Sequence, residues 1–429
     1  MNRRFLCNIL AAVCCVSAFA QSGTNSPYSQ YGLGVLSDQS QGFSRGMNGV
    51  GLALRKGNIV NTLNPASYSA IDSLTMIFDV GLSGQLTNFK EGNASINAKN
   101  ADFEYAVGCF RLVRNVGVSF GVLPLTNVGY SYSSSTLLAD NRGTITETYS
   151  GSGGLHQMFV GAGWRIFKPL SLGFNAQYVW GDYERSIVSS TGTDINSLKK
   201  VYSASVKTYH FDLGLQWQQA INKHDDIVLG ATVGLGHKLG ADPECMIINT
   251  NSLTSTPDTT QFAISNGLSL PMTYGVGLAW NHKNSLLVDV DATLQQWGSV
   301  DYPSYEAGDY VLKSGLLKDN YKVNLGADYV PDPMSRSFLQ RVHYRLGAGY
   351  ATPYYKINGQ DGPKEISVSA GFGIPLQNGW NSRGNMRPVL NVSAQWVHAS
   401  ATDLITENMF RINIGLTFNE RWFAKWKVD

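Results

Sequence analysis

The feature that most restricts what this chain can become is a period-two alternation of apolar and polar residues that recurs along most of its length. Alternation of this kind sends successive side chains to opposite faces of an extended strand, whereas an amphipathic helix repeats every 3.6 residues. Leu74, Met76, Phe78, Val80 and Leu82 share one face, and only Ile77 breaks the polar face opposite. Leu170, Leu172, Phe174, Ala176, Tyr178 and Trp180 stand against Ser171, Gly173, Asn175 and Gln177. Ile227, Leu229, Ala231, Val233 and Leu235 face away from Gly230, Thr232, Gly234 and Gly236, and the segment from Met272 to Trp280 repeats the pattern. Fourteen such segments are expected, near residues 73 to 87, 102 to 112, 115 to 135, 143 to 166, 170 to 185, 202 to 218, 226 to 238, 266 to 281, 285 to 297, 320 to 331, 340 to 351, 364 to 375, 387 to 398 and 408 to 418.

What separates a membrane barrel from a soluble sandwich is the pattern of connections. Arg114-Asn115, Phe167-Lys168-Pro169 and Asn281-His282-Lys283-Asn284 read as tight links, while polar stretches at 88 to 101, 186 to 201, 239 to 265 and 298 to 319 read as long loops. Short links on one side and long loops on the other characterise an outer-membrane barrel. An even strand number then places both termini in the periplasm, with the long loops outside. About 10 residues tilted at roughly 45° span roughly 23 Å, close to the ~25 Å apolar band of such barrels. Trp164, Trp180, Trp217, Trp280 and Trp396 are expected at strand ends on the apolar face, where amphipathic rings anchor at the headgroups. The fold expected is therefore all-β: an antiparallel transmembrane barrel of about 14 strands.

Composition agrees. Only 15% of residues are charged, against about 25% in an ordinary soluble domain. Arg3 and Arg4 precede an apolar run from Phe5 to Phe19, and Ala18-Phe19-Ala20 offers a small-residue cleavage site, so residues 1 to 20 read as an export signal. Two cysteines remain beyond it, Cys109 and Cys245, far apart and without metal-ligand spacing; they could form one disulfide, which the fold does not need. A net charge of +2, with no basic run interleaved with aromatics, argues against nucleic acid as a partner. None of the seven histidines pairs with Cys, Asp or Glu at ligand spacing, and no nucleophile elbow or phosphate loop is present; the expectation is a non-enzyme with neither cofactor nor metal. Gly151-Ser152-Gly153-Gly154 reads as a strand bulge. The alternation points Asp79, Asp212, Asp289, Asp291, Asp328, Lys322, Arg345 and Arg411 inward, as a cross-linked interior or, alternatively, a polar conduit. A pocket for an apolar ligand would have to come from loop residues such as Met246, Ile247, Ile248, Phe262 and Ile264.

Residues 21 to 72 lack sustained alternation and carry Gly32, Gly34, Gly42, Gly46, Gly49 and Gly51 close together. Irregular backbone at membrane depth survives only inside protein or beside water, so this segment is expected in the lumen or the periplasm. With Asn64-Pro65-Ala66, Leu270-Pro271 opening a strand that runs to Trp280, and Asn324 to Tyr329, the chain resembles the FadL/TodX (OMPP1) superfamily of outer-membrane transporters for hydrophobic compounds, in a form typical of Bacteroidota. The resemblance covers nearly all of residues 21 to 429. It implies an N-terminal hatch, a role that falls on Gly46, Gly49, Gly51, Asn64, Pro65 and Ala66. It also implies a wall kink that opens a lateral exit into the bilayer. Pro124, which cannot donate to the ladder, and Gly121 are the candidates for that kink; the alternative is a bulge without passage. Residues 73 to 418 would form the barrel and 419 to 429 a periplasmic tail containing Trp422, Phe423 and Trp426.

Two functions follow as expectations. One is passive uptake of long-chain fatty acids or aromatic hydrocarbons, with outer-membrane lipid and a small hydrophobic ligand as partners. The other is a non-transporting barrel within an outer-membrane secretion or protein-assembly complex, with protein partners.

Overall fold

The alternating segments pair in chain order: β1 Thr75–Glu91, β2 Ala94–Val113, β3 Val116–Leu137, β4 Thr144–Arg165, β5 Leu170–Thr191, β6 Asn196–Ala220, β7 Asp225–Gly234, β8 Thr273–His282, β9 Leu286–Gln295, β10 Asn320–Tyr329, β11 His343–Ala351, β12 Lys364–Pro375, β13 Val389–Ser400 and β14 Thr406–Arg421. The computed structural model describes residues 23 to 137, 143 to 191, 196 to 251, 256 to 376 and 388 to 421. Antiparallel pairing of β1 with β14, from Thr75↔Arg421 to Lys90↔Thr406, closes the sheet into a fourteen-strand barrel. Closure satisfies the backbone without a helix, and no helix among the described residues is long and apolar enough to cross a membrane.

The alternation fixes the two faces. Leu278, Val276, Phe174, Leu213, Leu325 and Ile414 stand exposed on the outer surface, while Asp79, Asp289, Asp291, Asp328 and Arg345 are buried inside. An apolar exterior around a polar interior inverts a soluble protein and matches a barrel solvated by lipid. Trp164, Trp217 and Trp280 lie outward near the ends of their strands, beside the tight links. Trp180 and Trp396 lie instead within β5 and β13, because those strands continue past the apolar band.

That continuation is the main departure from the sequence reading. Residues 88 to 101 are ladder rather than loop: Lys90 pairs with Ser95 and Glu91 with Ala94 across a two-residue turn at Gly92 and Asn93. The stretch at 186 to 201 is likewise mostly strand. Main-chain hydrogen bonds do not require apolar side chains, so the ladder persists where the hydrophobic alternation stops. Link lengths are correspondingly mixed, since 330 to 342, with a short helix at Phe338–Arg341, sits on the same side as the tight links. β14 runs to Arg421, three residues beyond Phe418, and 422 to 429 lie outside the described residues, as do residues 1 to 20.

Residues 23 to 72 lie within the ring as short pieces: 3-10 turns at Pro27–Gln30 and Pro65–Ala70, a helical turn at Gly42–Arg45 and a two-residue strand at Val35–Leu36. Towards the long-loop end, Trp297, Leu317 and Tyr354 fold inward and pack with Tyr183 and Val206 of the wall, with Leu239 of the β7–β8 connection and with Leu33. The hairpin Glu244–Asn251 and Thr256–Ala263 extends the wall by pairing with the upper part of β6. Its alternation splits Met246 and Ile248 from Ile247, so the expected apolar pocket is not assembled there.

Candidate functional site

The inner wall and the N-terminal segment meet around the whole circumference. At the centre, Arg45 donates from its Nη2 to Glu104 of β2 at 2.9 Å and from its Nη1 to Asn413 of β14 at 3.0 Å, with both members of the ion pair nearly dry. Burial works against the Arg45 charge, yet Glu104 and Asp38 outweigh it and hold the guanidinium proton more tightly than usual. For Asp38 burial again opposes ionisation, and Arg45 and Lys322 prevail, lowering its pKa to about 2. Arg55 has no such compensation: burial, then the nearby Arg165, lower its pKa to about 10.

The remaining strands are engaged in turn. The backbone N–H groups of Gly51 and Leu52 donate to one oxygen of Asp291 on β9, at 2.6 and 3.0 Å. Lys56 reaches Asp328 on β10 at 3.0 Å, and Arg345 and His343 of β11 hold the same carboxylate. Ser369 of β12 donates to the Gly46 carbonyl and Gln395 of β13 to the Asn48 side chain. Gly42 N–H donates to the Tyr105 hydroxyl, which donates to Asp79 of β1. Asn64 caps the Pro65–Ala70 turn by accepting from Ala66 N–H, and its amide donates to the carbonyls of Leu52 and of Leu215 on β6.

Where no polar bond forms, wall glycines let the backbones touch. A Cβ at Gly173 of β5 would collide with the Pro65 main chain, and one at Gly230 of β7 with that of Leu52. Met47 lies in the same way against Gly326 of β10 and Gly347 of β11, Tyr68 against Gly117 of β3, Pro65 against Gly163 of β4, and Leu52 against Gly277 of β8. The segment therefore touches the wall on every side, and Met47, Ala53, Ala66 and Tyr68 have no solvent exposure.

Five of the six expected hatch residues lie in this contact, and Gly49 instead turns the segment against its own Asp38 and Ser40. Gly46 rests on Gly371, Gly49 takes a φ of +79° that a side chain would resist, Gly51 donates to Asp291, and Asn64, Pro65 and Ala66 form the capped turn. Arg45, Glu104 and Tyr105 went unassigned in the sequence reading, whereas Asp291 was expected to point inward and does. The one signal for them was the run of glycines at inward positions, which implies backbone packed behind it. Of the inward charges expected from the alternation, Asp291 and Asp328 bond the N-terminal segment, while Asp79, Asp212, Arg345 and Arg411 bond other wall residues.

Gly121 sits in regular ladder between Val107 and Phe159, whereas at Pro124 the register with β4 shifts and Leu125 is the extra residue. Gly153 and Gly154, opposite on β4, adopt positive φ of +112° and +144°. Beside this bulge the β2–β3 ladder ends at Ala106↔Val122, although both strands run on, so the wall forks. The hatch lines the β3 side of the fork: Val35 and Leu36 pair with Asn127 and Thr126, Ser37 N–H donates to Leu125 O, and Gln39 donates to Pro124 O.

A groove of about 740 Å³ opens between the tight links and is lined by polar residues including Lys168, Gln218, His224, Asp226 and Lys283. A crevice beside Arg45, Tyr105 and Asn391 is too narrow for a water molecule. Cys109 and Cys245 are both free and buried.

Three solved structures share this architecture. The Ralstonia pickettii toluene transporter TbuX aligns with a TM-score of 0.59 at 15% identity, over 89% of this chain and 98% of that one. The Pseudomonas putida toluene transporter TodX gives 0.60 at 13%, over 90% and 100%. The CymD monoaromatic hydrocarbon channel gives 0.57 at 15%, over 92% and 100%. At these identities the likeness shows the fold alone, a closed antiparallel fourteen-strand barrel. No curated protein matches the sequence. A family model described as BamG matches residues 1 to 429.

Proposed function

This chain belongs to the BamG family, and starting from that membership we propose that it is a non-transporting partner barrel in an outer-membrane protein-assembly or secretion complex. The observation that carries the reading is the filled lumen: the hatch is bonded or close-packed against the wall all the way round, and a second layer of Trp297, Leu317 and Tyr354 lies above it. A channel for hydrophobic molecules needs an apolar pocket and a removable plug. Here the plug is held by the Arg45–Glu104 and Lys56–Asp328 ion pairs, and the groove between the tight links is lined mainly by polar residues. Large extended strands at the long-loop end and the aromatic residues Trp422, Phe423 and Trp426 suit docking better than conduction. The test is gentle detergent extraction and pull-down of the chromosomally tagged protein. A stoichiometric outer-membrane partner, with unchanged uptake of hydrophobic compounds on depletion, is the expected result. A monomer carrying lipid-like density would overturn it.

One observation favours a second reading, passive uptake of hydrophobic compounds with a lateral exit. The wall forks beside Pro124, between the same strands that the hatch lines. Under that reading the N-terminal segment gates the fork and the substrate leaves through it. Uptake of labelled toluene and fatty acids by a depletion strain separates the two functions, since only a transporter lowers it.

A further inference from the structure

At the mouth of the ring on the side of the tight links, two arginines stand together without a counter-charge. Arg165 of β4, Ser171 of β5 and Gln216 of β6 are register partners in one row of the inner wall. Arg55 of the N-terminal segment lies on that row, donating to Gln216 at 3.1 Å, to Ser69 at 3.0 Å and to the Ala66 carbonyl at 3.4 Å. All three acceptors are neutral. Among the described residues neither Arg55 nor Arg165 has a carboxylate within ion-pairing distance, and Nε of Arg165 is buried without a hydrogen bond. Elsewhere in the hatch a cation meets a carboxylate, Arg45 with Glu104 and Lys56 with Asp328.

The groove of about 740 Å³ opens next to this pair. Gln218 lines it and shares a face of β6 with Gln216, and Lys168 lines it shortly after Arg165 in the chain. Lys223 and Lys283 line it as well, and among the described residues none of the three lysines is in an ion pair. The carboxylates of the groove are already engaged: Asp225 by His282 and Asn222, and Asp226 by Gln218 and Asn281. Gln218, Asp226 and Asn281 continue the inward-facing sets of their strands, so the wall stands between the groove and the bilayer. An exposed lysine alone is ordinarily just solvated. Two half-buried guanidiniums side by side differ, because each raises the cost of the other's charge and an anion between them removes that cost.

We infer that this mouth binds an acidic peptide segment of a protein partner, with one carboxylate seated on Arg55 and Arg165 and further acidic side chains meeting Lys168, Lys223 and Lys283 along the groove. The inference rests on the partner-barrel reading and names where, and by what chemistry, the partner is held. A planar guanidinium matches a carboxylate through two parallel hydrogen bonds, which a lysine cannot do. The groove is far larger than a single small anion, and the wall keeps lipid headgroups from its lining. Because Arg55 also holds Ser69 and Ala66 of the capped turn, a visitor bound to it is tied to the hatch as well as to the wall.

The experiment uses the full-length tagged protein in its native membrane. Arg55→Gln with Arg165→Gln removes both guanidiniums, and Lys168→Glu with Lys283→Glu reverses two exposed charges of the groove. Each double variant is expected to keep a heat-modifiable barrel yet recover about tenfold less partner, the scale of a lost charge-assisted contact. Recovery by the wild-type protein is expected to fall as salt rises from about 0.05 to about 0.5 M, and the variants to lose most of that dependence. A photo-cross-linking residue in place of Lys223 is expected to capture an Asp- and Glu-rich segment of a different protein. The exposed lysine pair decides the matter if the arginine pair does not fold. Undiminished recovery in a double variant that folds, or cross-links only to lipid, to a second copy or to the same chain, would overturn the inference while leaving the partner-barrel reading intact. Absence of any partner in the wild-type extract would overturn that reading itself.

Discussion

At the scale of single residues, the hatch is held by a few buried charges and by glycines that admit backbone. Arg45 and Glu104 are 2% and 8% exposed at their side chains, so removing one leaves the other's charge uncompensated. Arg45→Met should cost about 3–5 kcal/mol of hatch stability, and adding Glu104→Gln should return part of it. Hydrogen exchange of amides 42 to 52 reads the effect directly. Gly173→Val places two methyls against the Pro65 main chain, and overpacking of this kind costs about 1–3 kcal/mol. Protease cleavage within residues 55 to 72 should then accelerate while the barrel stays heat-modifiable. Neither residue is conspicuous in the sequence, because a glycine or arginine in a polar stripe looks the same whether it faces water or a plug.

The strands separate what alternation predicts from what pairing decides. Each of the fourteen expected segments contains a barrel strand, although the one expected from residue 266 begins only at Thr273 and the one expected from 340 at His343, and most of their outward residues are those that the periodicity assigned. Leu278→Arg, on the outer face of β8, should therefore destabilise the barrel by about 2–4 kcal/mol if it lies near the bilayer midplane, measured by urea titration in lipid vesicles. The fork belongs to pairing. Pro124 announced a local irregularity, but the end of the β2–β3 ladder at Ala106↔Val122 and the insertion of Val35 and Leu36 depend on contacts 90 residues apart in the chain. Cysteines introduced at the register partners Val35 and Asn127 should cross-link readily under mild oxidation in intact membranes. Failure to cross-link would show that the segment does not occupy the β3 edge.

For the whole molecule, the filled lumen predicts a silent barrel. Planar-bilayer recordings of the intact protein should show essentially no single-channel conductance, and deletion of residues 24 to 72 should produce large open steps if the wall refolds without its plug. Steady conductance of the intact protein would contradict the packing seen between hatch and wall. A barrel wall of this kind does not by itself fix a function, which lies in the groups that line or fill it.

The sequence by itself determined the wall, its two faces and the presence of an irregular glycine-rich segment that could not be a strand. Those properties follow from a two-residue period and from local conformational preference, both of which are written in neighbouring residues. Only the tertiary structure decided that Arg45 meets Glu104, that Gly51 and Leu52 meet Asp291, that strands continue past the apolar band, and that the β2–β3 ladder ends at Ala106↔Val122. Ion pairing and register depend on which backbones lie side by side once the ring closes, and no period along the chain encodes that.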